Sequence, residues 1–269
     1  MEKTVKFEKF EFSKRVKSML KVDFRRILKS KLFYILIACA LIMPILMTVM
    51  MTMMDGTETV NQQTGEVTVI HGPENAWQNI GALPGSESMG GMDVMSMCNI
   101  NMAFMGVAVF VCLFISDDFR SGYAKNLFTV RSRKEDYVIS KTVCGFFCGV
   151  LMLIAYFIGA MIGGAISSLS FDLVGLSAAN VVMCMLAKIF LMPVFVSIFT
   201  LISVAAKAKA WLSICGSLGG GMLLFMTVSM ITPLSSTLIN VILCLVGGVL
   251  FALGLGALSN LVLKKTSLV

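Results

Sequence analysis

Charge is scarce in this chain. Asp, Glu, Lys and Arg make up 14% of its 269 residues while 57% are hydrophobic, against roughly 25% charged residues in ordinary soluble domains. That shortage excludes a water-soluble globule. Carboxylates are missing altogether from the long apolar runs, which argues against the midplane acid of an ion-coupled carrier and against the paired acids of an intramembrane protease. The one histidine, His71, stands beside Gly72 and Pro73 in a polar stretch, where a surface turn residue fits better than a metal ligand. No Gly-rich segment closing in Lys followed by Ser or Thr occurs, so no phosphate cradle is expected in the chain. A cleavable leader is not expected either, because the first 31 residues hold eleven Lys and Arg and no apolar stretch with a small-residue cleavage site. The eight cysteines (Cys39, Cys98, Cys112, Cys144, Cys148, Cys184, Cys215 and Cys244) lie in or at the edge of apolar runs, and no disulfide framework is expected.

Apolar length is what the chain has in plenty. Runs near 32–53, 96–116, 142–168, 178–205, 211–232 and 237–263 each supply about 20 mostly apolar residues, the length that crosses a bilayer as a helix. The expected fold is an all-α membrane protein with six transmembrane helices, divided into a helix over 1–31 and a membrane domain over 32–269. Placing the N-terminus in the cytoplasm puts 21 of the 22 Lys and Arg on that side, in 1–31, 117–141, 206–210 and 264–269. The opposite loops carry Asp55, Glu58, Glu66, Glu74, Glu87, Asp93 and Asp172 and no basic residue. Lys and Arg in short loops resist translocation, so both termini are expected in the cytoplasm of a multi-pass plasma-membrane protein. The net charge of +7 then reads as topology and anionic-lipid contact rather than nucleic-acid binding.

Three polar segments have character of their own. Val16, Leu20, Phe24, Ile27 and Leu28 recur at three- and four-residue spacing among Lys14, Lys17, Lys21, Arg25, Arg26 and Lys29, which predicts a basic amphipathic helix lying at the membrane surface as a lipid anchor or an elbow. The loop of about 40 residues over 54–95 is the only sizeable extracytoplasmic segment. Its stretches 57–60 and 66–70 suggest a hairpin turning at Gly65, packed on the helix ends as a lid or a plain connector. The segment 117–141 mixes Arg120, Lys125, Arg131, Arg133, Lys134 and Lys141 with acids and with Tyr123, Leu127, Phe128 and Tyr137, a pattern suited to docking another protein.

Within the spans, Lys188 is the single charge, one turn before Pro193 in the fourth run. It is expected either to line a substrate path or to snorkel outward, with Pro193 kinking the helix. Cys144 and Cys148 share a helix face but are too few for a closed zinc site. Ala155, Gly159 and Gly163, and Gly248, Ala252 and Gly256, form small-residue ladders that let helices approach closely within the chain or across a dimer. Gly216, Gly219, Gly220 and Gly221 do the same for the fifth run. The short connections after the fourth and fifth runs predict antiparallel neighbours.

The layout resembles the ABC-2 type permeases, the membrane halves of ATP-driven exporters. The local likeness lies in Asp118-Phe119-Arg120-Ser121-Gly122-Tyr123, then Asn126-Leu127-Phe128-Thr129, Ser132-Arg133 and Tyr137-Val138-Ile139-Ser140-Lys141. Asp118 stands where the family usually has Glu, Tyr123 where Thr is common, and no Pro precedes Ser132. The resemblance implies that 117–141 is the coupling loop, with Asp118, Arg120, Gly122, Tyr123, Leu127, Phe128, Arg131, Arg133 and Tyr137 as docking residues for a separate ATPase subunit. ATP and Mg would be bound by that subunit, this chain holding no cofactor, metal or catalytic residue. A second permease subunit, identical or different, would complete the assembly. A hydrophobic or amphipathic cargo, such as an antimicrobial peptide or a drug, suits an interior rich in Met and Phe. The rival readings are an ion-coupled carrier and a non-transporting scaffold or sensor.

Overall fold

The computed structural model describes residues 12–60, 67–84, 99–130 and 134–265. The Gly65 turn, Cys98, Arg131 and Arg133 lie outside the described residues. Helix α1 (Phe12–Lys29) is followed after one residue by α2 (Lys31–Met53). Strands β1 (Glu58–Val60) and β2 (Val67–Val69) pair antiparallel, Glu58 opposite Val69, and a single 3-10 turn (Ala76–Gln78) follows. The remaining helices are α3 (Asn101–Arg120), α4 (Tyr123–Val130), α5 (Glu135–Ile166), α6 (Ala178–Ala206), α7 (Ala210–Ile231) and α8 (Leu238–Lys265). Five of them, α2, α3, α5, α6 and α8, are long and apolar enough to cross a membrane.

The sequence accounts for most of these boundaries. Glu135 and Asp136 open α5, where carboxylates meet the positive end of the helix dipole, so the helix starts well before its apolar run. Ser177 and Asn180 form a capping box at the start of α6, satisfying donors that the first turn leaves free. Pro44 and Pro193 sit inside α2 and α6 without ending them. A membrane helix tolerates this when neighbouring helices cover the freed backbone.

Packing follows the small-residue ladders. A Cβ on Gly159 of α5 would run into the Leu41 carbonyl oxygen of α2, and one on Gly163 would come within 3.1 Å of Ile45 Cα. Likewise, Gly248 of α8 lies against the Phe190 carbonyl oxygen of α6. Both ladders therefore act inside the chain at these positions, and α2 on α5 and α6 on α8 are the two most extensive helix contacts. The core between α3, α5, α6 and α7 is closed by an aromatic group in which Phe195 meets Phe104 at 4.8 Å and Phe225 at 5.5 Å.

One expectation about neighbours is revised. Helices α7 and α8 each pack on α6 but, among the described residues, hardly touch one another, although a short linker joins them. The space between them is a groove of about 440 Å³ walled by Leu191 and Ile198 of α6, Leu224 and Ile231 of α7, and Leu243 and Phe251 of α8. The tight seating of Gly248 on α6 draws α8 away from α7.

All helices run between two ends. The charged end gathers α1, the C-termini of α3 and α8, α4 and the start of α5. The far end carries β1, β2, the 3-10 turn and the connections after α5 and α7. There the segment following β2 is tied to the α5–α6 connection, with Ala76 N donating to Ser170 O at 2.9 Å and Asn75 Nδ2 to Asp172 O at 2.8 Å.

Candidate functional site

Helix α1 turns a stripe of Met19, Asp23 and Ile27 towards α5, all three buried. An acid at the centre of that stripe requires a partner, because an isolated buried carboxylate is prohibitively costly. Lys141, in the second turn of α5, supplies it: Nζ lies 2.8 Å from Asp23 Oδ1 and 2.7 Å from Asp118 Oδ2 at the end of α3. All three side chains are 0% exposed. Arg26 completes the group, with Nη2 2.6 Å from Asp118 Oδ1 and Nη1 3.5 Å from Asp23 Oδ1.

The remaining lone pairs are also used. Ser140 Oγ donates to Asp23 Oδ2 at 2.6 Å and Tyr137 Oη to Asp118 Oδ2 at 3.1 Å. The cations are stacked on rings, Lys141 Nζ lying 3.9 Å from the Phe114 centroid and the Arg26 guanidinium 4.4 Å from that of Tyr123. Two carboxylates and two cations balance. Burial pulls the Arg26 pKa down, but the hydrogen bond and charge of Asp118, with the charge of Asp23, outweigh it and leave the guanidinium above its ordinary value. One network therefore joins α1, α3, α4 and α5.

A second set of contacts locks the same corner. Arg15 of α1 grips Asp136 of α5 through Nε at 2.9 Å and Nη2 at 3.4 Å, a two-pronged geometry suited to guanidinium and carboxylate. Lys134 Nζ donates to the Leu263 carbonyl of α8 at 2.7 Å and lies 5.6 Å from the Phe128 ring. Phe128 in turn packs edge-on against Tyr137, centroids 5.3 Å apart.

The residues singled out in 117–141 thus divide. Asp118 and Tyr137 are buried and committed to the network. Arg120 and Lys125 are exposed, Gly122 makes the left-handed turn (φ +74°) between α3 and α4, and Tyr123, Leu127 and Phe128 are half-buried on α4. The exposed residues and the buried supporting ones are therefore different residues of one short segment.

Asp23, Ser140 and the bridging position of Lys141 escape a reading based on apolar stripes. Their signal is Asp23 itself, the sole acid of 12–54 in an otherwise basic helix, one turn from Met19 and one from Ile27. Lys188 and Pro193 lie elsewhere, towards the far end on α6. Lys188 is 0% exposed, so it does not snorkel to the surface.

A family model described as an ABC-2 family transporter protein matches residues 19–222. No curated protein matches the chain. No solved structure matches it.

Proposed function

This chain belongs to the ABC-2 transporter family, and from that premise we infer that it is the permease subunit of an ATP-driven exporter, with the corner formed by α1, α3, α4 and α5 as its coupling region. The observation that carries the reading is the charge-balanced network of Asp23, Arg26, Asp118 and Lys141. Such a network makes α4, the amphipathic α1, the last turn of α3 and the first turns of α5 one stiff body. A displacement of α4 is then passed to α3 and α5 rather than absorbed locally. A partner drives the equilibrium between two bundle states only as far as its contacts differ between them. Arg120, Lys125 and the half-buried ring of Phe128 are the groups available for those contacts.

In this reading the charged end faces the cytoplasm, in keeping with all 21 basic residues outside the spans falling on that side. Helix α1 is an elbow at the membrane surface, and α7 is the sixth span: 22 residues extend about 33 Å at 1.5 Å per residue, enough for the hydrocarbon core. A separate ABC ATPase docks on α4 and the segment through Arg131 and Arg133, and binds ATP and Mg. A second permease subunit completes the translocation path. The lipid-facing groove between α7 and α8, with its aliphatic and aromatic walls, favours a hydrophobic or amphipathic cargo that enters from the bilayer.

The test is co-purification. Co-expressed with a soluble ABC ATPase from its own genome, the tagged chain is expected to retain that subunit, and the triple variant Arg120→Glu, Arg131→Glu, Arg133→Glu is expected to lose it while staying folded. Equal retention by both proteins would discard the docking assignment.

A further inference from the structure

The far end holds a cation that pairs with no acid among the described residues. Lys188 lies ten residues into α6 from Ala178, about 15 Å along the helix, and is fully buried. Its ammonium spends its three hydrogens on Thr232 Oγ1 at 2.5 Å, Thr232 O at 2.9 Å and Gly81 O at 3.4 Å. Thr232 Oγ1 gives its own hydrogen to Val228 O and so accepts from the lysine. No ion pair joins Lys188 to a carboxylate among the described residues.

These three acceptors belong to two elements that close the far end. Thr232 ends α7. Gly81 lies in the irregular segment over 79–82, which is buried throughout and is held from above by Leu234 N donating to Ala82 O at 2.7 Å. Irregular backbone at this depth is tolerated only when wrapped in protein. Gly81 has φ +59°, and a Cβ there would strike Ser229 Oγ of α7. The segment is therefore a plug seated against Asn99, α6 and α7, with a buried charge in contact with it.

Neutral dipoles compensate a buried ammonium less than a carboxylate or bulk water does. The seated plug thus carries a desolvation cost, and lifting it returns hydration to Lys188. We propose that Lys188 is the element that primes the 79–82 plug to open, so that this segment is the exit gate of the bundle and the ammonium, held by neutral acceptors among the described residues, keeps its closed state shallow. This deepens the export reading and rests on it only for the word exit; the balance between seated and lifted plug is a property of the chain alone.

A native reporter makes it measurable. Cys184, one turn before Lys188, is buried with Sγ donating to Thr232 O at 3.2 Å, the same carbonyl that accepts from Lys188 beneath the plug, so its accessibility is expected to report on lifting of this end. The purified chain in lipid nanodiscs is exposed to a water-soluble maleimide, and modification of Cys184 is followed by peptide mapping. Lys188→Met, similar in length and free of the desolvation cost, is expected to slow that modification roughly tenfold or more, once each rate is divided by that of the same protein unfolded in SDS to remove the direct effect of the neighbouring ammonium on the thiol, without lowering the melting temperature. Gly81→Ala, which unseats the plug from its other side, is expected to accelerate it. Faster modification in Lys188→Met, an unchanged rate, or a lowered melting temperature would mean that the lysine holds or merely fills the site, and would overturn the proposal. With the ABC ATPase and ATP added, wild-type Cys184 is expected to react faster still. If only this last arm fails, the export reading falls and the gate remains.

Discussion

Replacing Lys141 by Met removes the group that bridges both buried acids at close range. Asp23 and Asp118 are 0% exposed, and Lys141 Nζ is within 2.8 Å of each. After the change Asp118 keeps Arg26 at 2.6 Å, whereas Asp23 keeps only the Ser140 hydroxyl and a 3.5 Å approach of Arg26. Breaking a buried pair from one side costs about 3–5 kcal/mol, because the remaining charge is left uncompensated. With Arg26 still present, the loss is expected near the lower bound, at roughly 3 kcal/mol. The double variant Lys141→Met, Asp23→Asn leaves one acid facing one cation, so it should recover more than half of that loss. The coupling energy in the corresponding cycle should then reach about 2 kcal/mol. Reversible denaturation in mixed micelles, with SDS as titrant, reads all four proteins. A loss below about 1 kcal/mol, or no recovery in the double variant, would show that the charges are solvated and that α1 is not pinned through them.

Further outcomes follow from the packing. Gly159→Ala brings a methyl group onto the α2 backbone at Leu41, and should cost about 1–3 kcal/mol in the same titration; Gly254→Ala, whose Cβ would meet nothing within 4 Å, should be neutral and serves as its control. Phe128→Ala removes the edge-on contact with Tyr137 and the ring beneath Lys134. It is expected to lower stability by about 1 kcal/mol and to reduce recovery of the ATPase on co-purification by more than that stability loss explains. A lipid-soluble maleimide should modify Cys39, exposed on α2, and leave Cys144 and Cys148 of α5 untouched in the native protein, as mass spectrometry of the labelled peptides will show.

Membrane class, helical composition and family were legible in the sequence because each depends on features that repeat along the chain. Twenty apolar residues between basic loops announce a span without any knowledge of its neighbours. The site was legible only in outline. Arg120, Leu127 and Phe128 stand out by composition, but Asp23 and Lys141 are 118 positions apart and meet only through the fold of α1 onto α5. Stripe analysis weighs apolar positions, so it passes over an acid that occupies a core position of an otherwise ordinary amphipathic helix. The loose pairing of α7 with α8 was hidden for a different reason. A short linker limits how far two helix ends separate, but it does not decide which faces meet, and Gly248 seated against Phe190 directs α8 to α6. Lys188 announced itself as an intramembrane charge, whereas its acceptors, Thr232 and Gly81, lie far away in sequence and on irregular backbone.

In the proposed coupling, a separate ATPase moves the bundle through α4. A photo-crosslinking amino acid placed at Lys125, which is exposed on that helix, tests it most directly in cells co-expressing the ABC ATPase. The account predicts a covalent adduct between the two chains that forms from this position and not from one at Asp172 on the far end. An adduct that forms only from the far end, or labelling of Lys125→Cys by a membrane-impermeant reagent added to intact cells, would contradict it.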